Sequence, residues 1–277
     1  MDPFDLTRLR ALRLSGPDAG EFLNTQLTAD LPALEPRRWH PAAWCDPKGR
    51  ALAVVLACLS ESEADLVVPA EQAESTRQRL KLYTIGRSVE ISAPEAVCGL
   101  WPRSPESRAG GLCPLAVDPD RWLAVESAAA DPVREARWLK ADLALGLPWL
   151  SEATSARFLP QMLGLEALAG LSYRKGCYPG QEVIARVHYR GRVTRRPVGF
   201  RMQAASPPAP GQAGELEGDS GELTVLYAQA ANGHCAGLGI VPAETAAGAR
   251  FQIDGLEGSV CEIRDLRRGW EIPESET

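Results

Sequence analysis

The spacing of apolar residues changes from one part of the chain to the next. Ala11-Leu12-Arg13-Leu14-Ser15-Gly16 alternates like a strand and ends on a turn glycine. Residues 17–27 then carry Phe22, Leu23 and Leu27 at helical spacing, with Asp18 as an early-turn acid. Trp44-Cys45-Asp46-Pro47-Lys48-Gly49-Arg50 reads as a hairpin turn, and the apolar runs at 51–59 and 65–68 as its strands. A polar helix over 70–82, with Ala73, Leu80 and Leu82 as its apolar members, leads to a strand at 88–92. Strand, strand, helix and strand in that order begin a split α+β layer.

Between Pro94 and Pro132 the pattern is broken by prolines and glycines, leaving short strands near 97–101 and 121–126. A helix is predicted over 132–145 through Val133, Ala136, Leu139 and Leu143, with Pro148 as its stop. From Arg196 onward, β-like runs at 198–202, 222–227, 235–240 and 259–263 are separated by turns such as Ser206-Pro207-Pro208-Ala209-Pro210-Gly211. Such spacing predicts a small antiparallel barrel or sandwich, with the proline-rich stretch as one of its loops.

The 277 residues suffice for two domains or three small ones, and 45% hydrophobic with 24% charged is an ordinary globular composition. Wholesale disorder, collagen and coiled coil do not fit it, and no repeat of solenoid length is seen. The longest apolar run, 51–59, is nine residues, whereas a bilayer span needs about twenty, so no membrane helix is expected. Met1-Asp2-Pro3-Phe4-Asp5 lacks the basic start and apolar stretch of a secretory signal, which makes the cytoplasm the expected compartment. The seven cysteines (Cys45, Cys58, Cys98, Cys113, Cys177, Cys235, Cys261) are scattered, with no C-x-x-C pair. That argues against a disulfide framework and against a self-contained zinc or iron-sulfur site; no metal is expected, and most of these thiols read as small buried hydrophobes.

Net charge is −6, but it is unevenly distributed: −5 over residues 1–170, +6 over 171–200 and −7 over 201–277. The basic stretch is either a solvated arginine face or the seat of an anionic ligand or partner. It opens with Tyr173-Arg174-Lys175-Gly176-Cys177-Tyr178-Pro179-Gly180-Gln181-Glu182-Val183-Ile184-Ala185-Arg186. Glycines and a proline around Cys177 predict a tight exposed loop, and Gly180-Gln181-Glu182 the start of a helix on which Glu182 and Arg186 are i,i+4 partners. A thiol beside Arg174 and Lys175 would have a lowered pKa; the alternative is an inert thiol in a packed turn.

In this segment the chain resembles the YgfZ family, folate-binding relatives of the glycine cleavage T-protein that assist iron-sulfur proteins. The signature K-G-C-Y-x-G-Q-E occurs at 175–182 with every specified residue in place. Phe22-Leu23-Asn24-Thr25-Gln26-Leu27-Thr28-Ala29-Asp30, Cys45-Asp46-Pro47-Lys48-Gly49-Arg50 and Phe158-Leu159-Pro160-Gln161 are similar to further family segments. The resemblance implies an α+β, three-domain T-protein-like ring. Residues 1–48 and 131–195 would form a split folate-binding domain, 49–130 an inserted ferredoxin-like domain, and 196–277 a C-terminal antiparallel β-barrel. Tetrahydrofolate, or a one-carbon derivative, would sit in the central hole.

On that reading Trp138 is an aromatic wall or else a core tryptophan. Gln26, Tyr178, Gln181 and Glu182 are polar partners, Arg186 or Lys175 meets a carboxylate, and Cys177 is a reactive thiol at the rim. The implied function is a tetrahydrofolate-binding accessory factor for assembly or repair of iron-sulfur clusters in client enzymes, including tRNA-modifying ones. The alternative is one-carbon transfer of the T-protein class. The T-protein's carboxylate after the glycine turn is replaced here by Ala51-Leu52-Ala53-Val54. A glutamate that the family has near the end of the 132–145 helix is Ala144 here, so either Asp142 substitutes from another face of the helix or the folate site is weakened. A cysteine hydrolase pairing Cys177 with His188 is a weaker reading. Direct nucleic-acid binding through Arg186, Arg190, Arg192, Arg195 and Arg196 around Tyr189 is not expected of a chain that is acidic overall and lacks an RNA-binding signature. Folate and client iron-sulfur proteins are the expected partners, and a monomer the default state.

Overall fold

The computed structural model describes residues 2–60, 63–101, 111–204, 206–217, 221–231, 233–256 and 260–264. The first part of the chain runs β1 (Phe4–Asp5), β2 (Leu9–Ser15), α1 (Ala19–Gln26), β3 (His40–Cys45), β4 (Ala51–Leu59), β5 (Glu63–Pro69), α2 (Ala73–Lys81) and β6 (Glu90–Ile91). It continues through β7 (Cys98–Leu100), β8 (Cys113–Pro114), β9 (Trp122–Ala124), α3 (Pro132–Leu145) and α4 (Gln181–Arg190). The last strands are β10 (Arg195–Gln203), β11 (Ala213–Leu216), β12 (Glu222–Ala231), β13 (His234–Pro242), β14 (Arg250–Ile253) and β15 (Val260–Arg264).

A five-stranded antiparallel sheet, order β3-β4-β5-β2-β6, lies between two cores, which is why β4 is apolar along its whole length. Ala53, Val55 and Ala57 face a cluster built on Phe22 and Leu23 of α1 and Leu80 of α2. Val54, Leu56 and Cys58 face a second cluster that holds Trp39, Trp138 and Trp149. The same alternation divides β2, Leu9 and Ala11 going to the second cluster and Leu12 and Leu14 to the first. The hairpin at 46–50 joins β3 to β4 rather than the 51–59 and 65–68 strands to each other; those pair as β4 and β5 through a separate turn. The sheet thus takes strands from both sides of the boundary expected at 48/49.

A smaller sheet, β1-β7-β9-β8, backs the second core beside α3. The Asp131 carboxylate caps α3 by accepting from the Arg134 N–H at 2.9 Å, and Pro132 takes the position where no amide hydrogen is needed. Gly146, in the left-handed region at φ 68°, ends this helix before Pro148 is reached, so the glycine is the stop.

Strands β10-β13-β12-β11-β14-β15 close into a barrel around Phe200, Val225 and Phe251. A bulge in β12 between Val225 and Tyr227 sends Leu226 and Tyr227 together to the outside, where they join the second core. The expected β-run at 259–263 is observed as β15; Ser259 and the Cys261 side chain lie outside the described residues. Among the described residues no helix is long and apolar enough to cross a membrane.

Candidate functional site

Two glycine turns that are 131 residues apart in sequence pack back to back to build the cysteine loop. In the β3–β4 turn the Gly49 N–H donates to Asp46 O at 2.9 Å, and the Asp46 carboxylate accepts from the backbone N–H of Lys48 (2.9 Å) and Arg50 (2.8 Å). Gly180, the residue before α4, has φ 79°, and a Cβ there would lie 2.4 Å from Gly49 Cα and 2.6 Å from Asp46 O. Only glycine permits that approach. The Phe158–Gln161 segment locks the pair from the side: Ala51 N–H donates to Phe158 O (2.8 Å), and Gln161 Nε2 to Ile184 O (2.8 Å).

The other signature residues hold the loop in shape. Lys175 is buried, and its Nζ donates into a cage formed by Asn24 O and Oδ1, Leu27 O (2.9 Å) and Ala29 O (2.6 Å). Those carbonyls leave the end of α1, where a helix lacks internal donors. Burial pulls the ammonium down to about 8, opposed by the Asp30 carboxylate. Tyr178 is buried with its hydroxyl 3.3 Å from Ser172 O, and Gln181 Nε2 donates to Lys175 O at 3.3 Å. Cys177 stands exposed on this scaffold, whereas Cys45, Cys58, Cys98, Cys113 and Cys235 are buried. The lysine expected beside the thiol is engaged with backbone oxygens instead.

The remaining expected ligand residues are not gathered there. Trp138 is 1% exposed, enclosed by Phe4, Trp101 and the Arg121 guanidinium, with Gly99 flat against its ring. It is a core tryptophan with no free face. Asp142, the possible substitute for the missing glutamate, is buried and accepts from Arg121 Nη1 (2.7 Å) and Trp149 Nε1 (2.9 Å). Glu182 and Arg186 lie exposed on α4 and form no ion pair with each other among the described residues. Gln26 is buried, its Nε2 3.4 Å from Thr25 Oγ1 and its Oε1 without a partner. The residues expected to hold tetrahydrofolate therefore do not converge on one seat.

A cleft of about 550 Å³ opens beside the loop, between residues 30–34, the 169–174 lead-in and the C-terminal end of α4. Its wall is a three-ring platform. Tyr173 stacks on His188 at 3.7 Å, and Tyr189 meets His188 edge-on at 4.7 Å. Glu166 fixes the stack, accepting from the Tyr173 hydroxyl at 2.5 Å and lying 3.4 Å from His188 Nδ1. Burial and that carboxylate push the Tyr173 phenol well above its ordinary pKa. None of the residues expected to bind folate lines this cleft, and neither does Cys177, so His188 and Cys177 are not drawn into one pocket. Tyr189 stands out in the sequence as an aromatic among arginines; Asp30 and Tyr173 lie within motif segments, but nothing in the sequence places them beside the end of α4, because only the fold brings them to the helix.

No family model matches the chain. It is 32% identical over 269 residues to the tRNA-modifying protein YgfZ of Edwardsiella ictaluri, covering 82% of this chain and 81% of that protein. The chain belongs to the YgfZ family. It is also 29% identical over 245 residues to the tRNA-modifying protein YgfZ of Sodalis glossinidius, covering 76% of this chain and 75% of the relative. The structure superposes on the glycine cleavage system aminomethyltransferase T of Bartonella henselae with TM-score 0.69, covering 95% of this chain and 85% of the other at 16% identity. That likeness shows a T-protein-like multi-domain fold. In this YgfZ chain the position after the glycine turn is the buried start of β4, Ala51, with no carboxylate in 51–54.

Proposed function

We propose that the protein is an accessory factor for assembly or repair of iron-sulfur clusters in client enzymes, tRNA-modifying ones among them, acting in the cytoplasm with tetrahydrofolate as its ligand. The observation that carries this reading is the Cys177 loop. Two packed glycine turns, a caged lysine and a buried tyrosine hold an exposed thiol in place, while the other described cysteines are buried. A scaffold of that kind serves presentation of the sulfur to another molecule. Membership in a family whose relatives are named tRNA-modifying proteins, on a T-protein fold, supports the client class and the folate ligand. The fit of folate to Gln26, Trp138, Lys175 and Gln181 is poor, the tryptophan ring being enclosed and the lysine and Gln181 amide groups engaged within the chain. The absence of an acid in 51–54 weighs against the alternative, one-carbon transfer.

The test is complementation of an iron-sulfur client's activity in cells lacking this protein. Cys177→Ala is expected to fail while keeping wild-type thermal stability and tetrahydrofolate binding by calorimetry. Full complementation by Cys177→Ala, or formation of methylene-tetrahydrofolate by the wild-type protein, would overturn the reading.

A further inference from the structure

Tyr173 and His188 of the platform are held by stacking and by Glu166, and its outer ring, Tyr189, is left open. Tyr189 is 67% exposed at the mouth of the cleft. An exposed ring whose neighbours are already locked by stacking and by Glu166 is a ready-made surface for another flat ring. Arg174 lines the same cleft, and Arg190 and Arg192 follow directly on α4 and after it. Among the described residues the Arg174 and Arg190 side chains have no ion-pair partner. Arg192 has one loose contact, 3.8 Å to Glu244, with both side chains more than 80% exposed. Arg196, by contrast, is bound to the carbonyls of Ala243 and Thr245 and belongs to the fold.

We infer that this cleft seats one unstacked base of a single-stranded nucleic acid, with the neighbouring phosphates on Arg174, Arg190 and Arg192. Stacking on an aromatic ring is open to every base because each has a π-face, and arginines beyond the cleft follow the strand's backbone. Arg174 lines the cavity while Arg190 and Arg192 stand next to it in the chain, more cations than a single phosphate needs. Asp30, which also lines the cleft, repels phosphate and accepts hydrogen bonds from an exocyclic amino group, which orients the base inward and the backbone toward the arginines. The overall charge of −6 does not oppose this. Exposed charges farther away than a screening length of about 10 Å are largely screened, and the exposed cations offered at and next to the cleft are Arg174, Arg190 and Arg192, beside the acids Asp30 and Glu166.

The experiment is fluorescence anisotropy of a labelled adenylate oligoribonucleotide of about ten nucleotides, titrated with the full chain without folate. Saturable binding is expected, roughly ten-fold weaker from about 50 to 200 mM salt. Tyr189→Ala, a surface change that leaves the core untouched, is expected to weaken it about ten-fold. Arg174→Ala is expected to weaken it and to flatten the salt dependence, while Cys177→Ala leaves it unchanged. No saturable binding, binding indifferent to Tyr189→Ala, or adenosine monophosphate competing as tightly as the oligonucleotide would each overturn the inference. All of these readouts are independent of the client and folate assays.

Discussion

Lys175 shows what a residue's identity does and does not disclose. Its place in an eight-residue signature was plain, and a lysine beside a cysteine invites the role of thiol activator or carboxylate anchor. Neither follows from the chain alone, because the direction of a long flexible side chain is set by what surrounds it. In the fold the Nζ turns inward and satisfies carbonyls of Asn24, Leu27 and Ala29 that would otherwise be buried without donors. Trp138 is the same lesson in reverse: an aromatic matched to a ligand wall is sealed among Phe4, Trp101 and Arg121. Cys177 is the residue whose exposure the glycines and proline around it did foretell. Lys175→Met keeps the stem's packing and removes the donors, so it is expected to cost about 2–4 kcal/mol of unfolding free energy. Urea denaturation with an unchanged midpoint would show that water replaces the ammonium, and that the loop does not depend on its cage.

At the scale of elements, long periodic segments were legible and their pairings were not. The strand at 51–59, the helix over 132–145 and the helix starting after Gly180 all form. The strand before the hairpin turn was missed because His40-Pro41-Ala42-Ala43-Trp44-Cys45 contains a proline; β3 tolerates it as an edge strand, where fewer backbone donors are required. Strands β11 and β14, four residues each, are too short to show alternation. The two glycine turns were both visible as motifs, yet the reason each needs glycine exists only in their contact. The signature offers an internal control. At Gly180 a Cβ would meet Gly49 and Asp46 backbone within 2.6 Å, whereas at Gly176 nothing lies within 4 Å. Gly180→Ala is expected to cost about 2–4 kcal/mol, combining the left-handed backbone with a backbone clash. Gly176→Ala should stay within about 0.5 kcal/mol of wild type. Equal midpoints for the two variants in chemical denaturation would mean that the turns can slide apart freely.

At the scale of the whole molecule, the β12 bulge adds to Leu238 and Ile240 of β13 in binding the barrel to the rest, something no strand-by-strand reading supplies. Alternation alone would put Leu226 and Tyr227 on opposite faces; the extra residue puts both outside the barrel and into the core shared with Trp149 and Leu147. There the Tyr227 hydroxyl donates to Leu147 O at 2.8 Å, fully buried, and this burial drives its pKa well above the ordinary phenol value. Leu147 follows the glycine that ends α3, so the bond ties the barrel to the helix carrying Trp138 and Asp142. A junction of this kind makes barrel and body unfold together. The tryptophans among the described residues all lie outside the barrel strands, whereas far-ultraviolet circular dichroism includes them. Thermal transitions by tryptophan fluorescence and by circular dichroism are therefore expected to coincide in the wild type. Tyr227→Phe removes this hydrogen bond and leaves Leu147 O with the Trp149 N–H alone, at 3.0 Å, so it should lower both midpoints together by a few degrees, in keeping with a loss of about 1 kcal/mol. If the dichroism midpoint fell while the fluorescence midpoint stayed, the barrel would be an independent unit and the bulge only a local repair of its own curvature.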